Sequence, residues 1–236
     1  MNGHQSDEGP VFTAPYVNDN GSFSSFMQGL VPSAKAQDIS YISNTLYPAL
    51  FDGTFPYRNQ LDRAILFVSE YIITCKTNWL DRAFKNNTYG YVFSVPPGVH
   101  AQDTKYTFYN GPGTSDAYGT YNASVARALQ QYITSFAMTG IPNEGSAFPA
   151  FPLYGSGTIL NLTDSGFPSV PDPTANERCL YWQQEPYKVD TASAKNASTN
   201  GSSMLWGGDL WKTIGAILAG LVVLWVYSWK ERRGGG

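Results

Sequence analysis

The sequence predicts an α/β fold followed by one C-terminal transmembrane helix, and three observations carry that expectation. Apolar residues recur at helical spacing across 59–85 and 123–138. Strand-like runs rich in aromatic and β-branched residues follow each of them, at 88–95 and 158–162. Near the C-terminus, Ile214 to Tyr227 is an unbroken run without charge. With 236 residues, 42% of them hydrophobic, the chain has enough apolar material for one sizeable core. The net charge of −3, with no basic cluster before the last few residues, excludes a nucleic-acid partner.

Taken in order, residues 1–40 are loop-rich, with Asn18-Asp19-Asn20-Gly21-Ser22 as a polar turn cluster. Ile65, Val68, Ile72, Cys75, Trp79 and Phe84 then recur at three to five residues without a proline, which predicts an amphipathic helix. Thr88 to Val95 reads as a core strand stopped by Pro96-Pro97-Gly98, and His100 falls just beyond it. Val125, Leu129, Tyr132, Ile133 and Phe136 predict a second helix, opened by Asn122 as N-cap and closed by Gly140. Thr158 to Leu162 offers a short strand, Phe167 to Asn176 a proline-rich connection, and Cys179-Leu180-Tyr181-Trp182 begins a last packed element.

These elements make 1–187 one domain. The Ser-, Asn- and Gly-rich stretch 188–210 reads as a solvated linker, 211–229 as the membrane-spanning helix and 230–236 as a short basic tail. Trp206, Trp211, Trp225 and Trp229 crowd both ends of the apolar run as interface anchors. Lys230, Arg232 and Arg233 place the tail in the cytoplasm and the domain outside the cell or in a lumen. A buried or interfacial helix and a glycolipid-anchor signal are the competing readings of this run, the charged tail opposing the latter.

Cys75 and Cys179 leave either two free thiols or one long-range disulfide. Asn-x-Ser/Thr sequons at Asn20, Asn86, Asn122, Asn161, Asn196 and Asn200 suit a glycoprotein of the secretory lumen and favour the disulfide. No secretory signal heads the chain.

Chemistry gathers at two motifs. Gly3-His4-Gln5-Ser6-Asp7-Glu8-Gly9 presents a carboxylate on a turn, and His100-Ala101-Gln102-Asp103 precedes the aromatic Tyr106-Thr107-Phe108. Met138-Thr139-Gly140-Ile141-Pro142-Asn143 and Arg178-Cys179-Leu180-Tyr181-Trp182 follow. In this order the four motifs resemble those of type B carboxylesterases, lipases and cholinesterases, over Gly3 to about Gln184. Ala101 stands where that family commonly has Gly. The resemblance implies the C-terminal portion of an α/β-hydrolase, an incomplete mixed sheet flanked by helices. It implies that Glu8 is the catalytic acid, His100 the catalytic base and Cys75–Cys179 a disulfide, and that the substrate is a carboxylic ester. His4 and His100 lack the Cys, His or carboxylate spacing of a zinc site and no phosphate loop occurs, so no cofactor or metal is expected.

In this fold the chain order is nucleophile, acid, histidine, and no Gly-x-Ser-x-Gly occurs in the sequence; Gly113-Thr114-Ser115-Asp116-Ala117 has Ala in the last place. The serine, the oxyanion loop and the strand that would deliver Glu8 are therefore expected upstream of Met1, leaving an exposed sheet edge. His4 reads as a polar loop residue. The expectation is an ester hydrolase lacking its nucleophile half, inactive as this chain. The alternative is a non-catalytic, membrane-tethered cholinesterase-like binding module or a decayed remnant.

Overall fold

The computed structural model describes residues 1–111, 115–116, 119–120, 122–145, 147–155 and 157–184. The chain opens with strand β1 (Asn2–Gln5) and a 3-10 turn at Gly9–Phe12. Helices α1 (Asn20–Leu30) and α2 (Ala36–Tyr41) follow, α2 running on into a π-helical turn at Ile42–Leu46. Next come α3 (Gln60–Val68), a π-helical segment Ser69–Thr74 and α4 (Cys75–Ala83). Strand β2 (Gly90–Phe93) leads to α5 (Gln102–Thr107), a small hairpin of β3 (Ser115–Asp116) and β4 (Gly119–Thr120), and α6 (Ala123–Thr139). Strands β5 (Thr158–Leu162) and β6 (Ser169–Pro171) and helix α7 (Glu177–Gln184) complete it.

The main sheet has the order β1-β2-β5-β6, with β1, β2 and β5 parallel and β6 antiparallel, so it is mixed. Side chains of a strand alternate between faces. Phe93, Leu160 and Leu162 therefore pack with Val125, Ala128, Leu129 and Tyr132 of α6, while Val92 and Ile159 turn the other way to Tyr154. A second core gathers Phe23 and Met27 of α1, Ile42, Phe67, Val68, the two cysteines and Trp182. A disulfide joins Cys75 of α4 to Cys179 of α7 across a sequence separation of 104.

Both ends of α6 match their sequence reading. The Asn122 side chain accepts from Ser124 N and Val125 N, and Gly140 takes the left-handed conformation at φ +79° while its N–H reaches Phe136 O. The single helix expected over 59–85 instead contains the π-helical segment. That wider turn rotates the buried face, so Glu70, Asn78 and Asp81 go inside and Phe84 is exposed. Glu70 is satisfied there by Arg178 Nε and Nη2 at 2.7 Å each and by Tyr47 Oη at 2.6 Å.

The N-terminal stretch is more ordered than its composition suggests. The polar cluster at 18–22 is a capping box, in which Asp19 accepts from Ser22 N at 2.7 Å and Ser22 Oγ accepts from Asp19 N at 3.1 Å. The strand delivering Glu8, expected to be missing, is present as β1 and pairs with β2 from Asn2↔Gly90 to Gln5↔Phe93. His4 belongs to that strand and is buried, its Nδ1 donating to Gln5 O at 2.8 Å, so its reading as a loop residue is corrected. The proline-rich connection contains β6, whose Pro171 is tolerated because β6 is an edge strand.

The expected transmembrane helix requires correction. Among the described residues no helix is long and apolar enough to cross a membrane. Among the described residues the longest α-helix, α6, has 17 residues and buries one face while Arg127 and Thr134 are exposed. The apolar run 211–229, the linker and the basic tail lie outside the described residues. What stands is an α/β fold with a mixed sheet flanked by helices, and the expected membrane contact has no support in it.

Candidate active site

The register of β1 on β2 brings the two motifs together. Gln5 lies opposite Phe93, so the parallel strands end level and the chain beyond each continues side by side. Ser6 N donates to Phe93 O at 2.9 Å, Asp7 N to Gly98 O at 2.8 Å, and Asp7 forms an isolated parallel bridge with Val99. Glu8 and His100, 92 positions apart, thereby meet, with His100 Nδ1 2.5 Å from Glu8 Oε2. The other carboxylate oxygen, Oε1, accepts from Gln5 N at 2.7 Å, which fixes the plane of the group.

The partners differ in exposure. Glu8 is buried at 3%, whereas the His100 side chain is 40% exposed. A carboxylate only accepts, so Nδ1 donates, and in the neutral ring Nε2 is left as an acceptor. The hydrogen bond to Glu8 raises the His100 pKa; burial opposes this, and the charges of Glu8 and Asp103 add to it. Asp103 is held in place by Tyr91 Oη at 2.8 Å. Phe12 places its ring edge-on to the imidazole at 4.9 Å between centroids. The carboxylate thus fixes the tautomer and the orientation of the imidazole. Among the described residues no hydroxyl or thiol is bonded to Nε2.

Other predicted residues fall elsewhere. A cavity of about 480 Å³ lies behind the acid loop, lined by His4, Ser6, Asp7, Asp62 and Ser69 among others, and neither Glu8 nor His100 reaches it. No group of three or more His, Cys, Asp or Glu among the described residues is placed to hold a metal ion. Asn20 is exposed at the start of α1, Asn86 is half-buried in the turn after α4, Asn122 caps α6 and Asn161 lies half-buried within β5. Asn196 and Asn200 lie outside the described residues. The sequence reading missed Phe12 and Gln102, because an exposed aromatic after a turn and a lone glutamine carry no motif of their own.

A mixed sheet whose adjacent parallel strands bring a carboxylate and a histidine together at their ends is in keeping with an α/β-hydrolase fold. Comparison with known proteins agrees. The chain is 36% identical over 184 residues to the carboxylesterase patB of Aspergillus clavatus, and 36% identical over 185 residues to the carboxylesterase patB of Penicillium expansum. Each match covers 78% of this chain and 32% of the relative, so the chain spans about a third of the length of these proteins. The crystal structure of Aspergillus niger EstA shares the fold, with a TM-score of 0.63 at 22% identity over 77% of this chain and 38% of that one. No family model matches. The chain is thus related to carboxylesterases of the α/β-hydrolase kind, a group of carboxylic ester hydrolases.

Proposed function

We propose that Glu8 and His100 are the acid and base of a Ser-Glu-His triad that hydrolyses a carboxylic ester, the serine being supplied by a part of the enzyme with no counterpart in this sequence. The observation that carries this reading is the Nδ1 contact to a buried carboxylate at 2.5 Å, made by residues on adjoining parallel strand ends. In the reaction, His100 Nε2 takes the proton of the serine hydroxyl as its oxygen attacks the ester carbonyl. Glu8 stabilises the resulting imidazolium through Nδ1–H, and Nε2–H then passes the proton to the departing alcohol. Water, deprotonated by the same nitrogen, attacks the acyl-serine carbonyl; the acyl–oxygen bond then breaks, Nε2 returns the proton to the serine oxygen and the carboxylic acid leaves.

With no Gly-x-Ser-x-Gly in the sequence, this chain alone turns over esters no faster than background. The buried, doubly hydrogen-bonded Glu8 gives the non-catalytic binding alternative no support, since a binder has no use for it. The disulfide suits an oxidising compartment. The test is twofold. Purified chain is assayed with p-nitrophenyl esters, where turnover above buffer refutes the inactivity. His100 is titrated by NMR in the wild type and in Glu8→Gln, and an ordinary histidine pKa unmoved by the substitution refutes the dyad.

A further inference from the structure

We infer that Gln102 is the positioning residue for His100. This rests on the reading of Glu8 and His100 as acid and base. Gln102 is the first residue of α5 and is buried at 5%. Its side-chain amide turns back onto the loop that precedes the histidine. Oε1 accepts from Gly98 N at 2.8 Å and Val99 N at 3.2 Å, while Nε2 donates to Val95 O and Pro96 O at 3.1 Å each.

All the ordinary hydrogen-bonding capacity of a primary amide is therefore used on four residues of the segment 95–99. The orientation is fixed by chemistry, because exchanging O and N would set two N–H groups against two N–H groups and a carbonyl against each remaining carbonyl. The loop needs such a clamp. Beyond Ser94, whose N–H reaches Leu162 O, the chain leaves the sheet, and two successive prolines supply no donors. Gly98 stands at φ +71°, and a Cβ there would overlap Ser6 Oγ. One glutamine thus does for this loop what a neighbouring strand does for β2.

The clamp acts on the dyad through a short path. Gly98 donates to Gln102 and accepts from Asp7 N, so the same peptide segment is tied to the amide on one side and to the acid loop on the other. Val99 carries the second accepted bond and is bonded directly to His100. Releasing Gln102 frees the His100 backbone relative to Glu8 without touching either side chain.

The experiment is NMR titration of the imidazoles of the full chain, which has only two histidines. The charged groups facing His100 are Glu8 on the acid loop and Asp103 on α5. Wild type fixes the raised His100 pKa and its low-field Nδ1–H signal, and Glu8→Gln fixes the value without the carboxylate. If these two do not differ, the dyad itself fails and Gln102 is not at issue. If they do, Gln102→Ala brings His100 most of the way to the Glu8→Gln value and abolishes the Nδ1–H signal. Gln130→Ala leaves both unchanged, since Gln130 Nε2 holds only the far end of α5 through Thr107 O and Tyr109 O. A folded Gln102→Ala, or the volume-preserving Gln102→Met, with wild-type titration and signal overturns the proposal. Should neither fold, amide exchange in the wild type decides: Gly98 and Val99 protected like the β2 amides support the clamp, and free exchange overturns it.

Discussion

Arg178→Met is expected to cost this domain about 3 kcal/mol, and the figure follows from what the guanidinium leaves behind. Glu70 is buried at 4% in the π-helical segment and receives two bonds of 2.7 Å from Arg178, one of 2.6 Å from Tyr47 Oη and one of 3.3 Å from Asn176 Nδ2. Removing one partner of a buried ion pair costs roughly 3–5 kcal/mol, because the remaining charge is uncompensated. Here the value sits at the low end, since Tyr47 and Asn176 still donate and the Arg178 side chain is 19% exposed, so water reaches its place. Methionine keeps most of the stem packing. Urea unfolding of the oxidised chain measures the loss as a fall in midpoint at unchanged m-value. Arg178→Met/Glu70→Gln, which removes both charges and keeps an acceptor for Tyr47 Oη, recovers most of it. A loss below about 0.5 kcal/mol, or a double variant no more stable than the single, refutes the argument.

Three further outcomes follow from the same coordinates. Asn122→Ala removes both bonds of the α6 cap and lowers stability by about 1 kcal/mol, read from the urea midpoint. Reducing Cys75–Cys179, both buried, costs about 2–5 kcal/mol by freeing the unfolded chain, so thermal melts with and without reductant separate clearly. Because the folded His100 pKa is raised, its contribution to stability is fully present below the unfolded value of about 6.5 and is lost as pH rises through the folded value; in Glu8→Gln that slope of urea stability with pH disappears.

Much of this architecture was legible in the chain. Helix α6 was readable because Asn122, a 3.6-residue apolar period and Gly140 say the same thing, and β5 because Thr158 to Leu162 is short, apolar and bounded. The Glu8 and His100 motifs stood out in the sequence as the two that carry chemistry, and the structure brings their side chains into contact. Strand β1 was not legible: Asn2-Gly3-His4-Gln5 has no strand-like composition and is held by its in-register partner. Helix α1 was hidden because only Phe23 and Met27 are buried among Ser, Gly and Asn, and its cap looks like a turn. No period reveals a π-helical segment, so the burial of Glu70 and Asp81 could not be foreseen from spacing. The amide of Gln102 escaped because its four partners are backbone atoms, which sequence does not distinguish.

The in-register pairing of β1 with β2 also decides which of two neighbouring acids can serve. Asp7 and Glu8 are adjacent and chemically alike, yet they are not interchangeable, because Asp7 still bridges to Val99 while Glu8 has already turned into the helical region at φ −75°, ψ −33°. Asp7 looks toward the cavity it shares with Asp62, and only Glu8 meets the imidazole. A slip of β1 by one residue would carry the Glu8 carboxylate away from the imidazole and would break every ladder bond that sets the meeting point. Changes in the length of the connection after Phe12 and before Gly90 leave that alignment untouched as long as the helices still pack. Chain length there is free to drift, whereas the pairing of four residues on four is not.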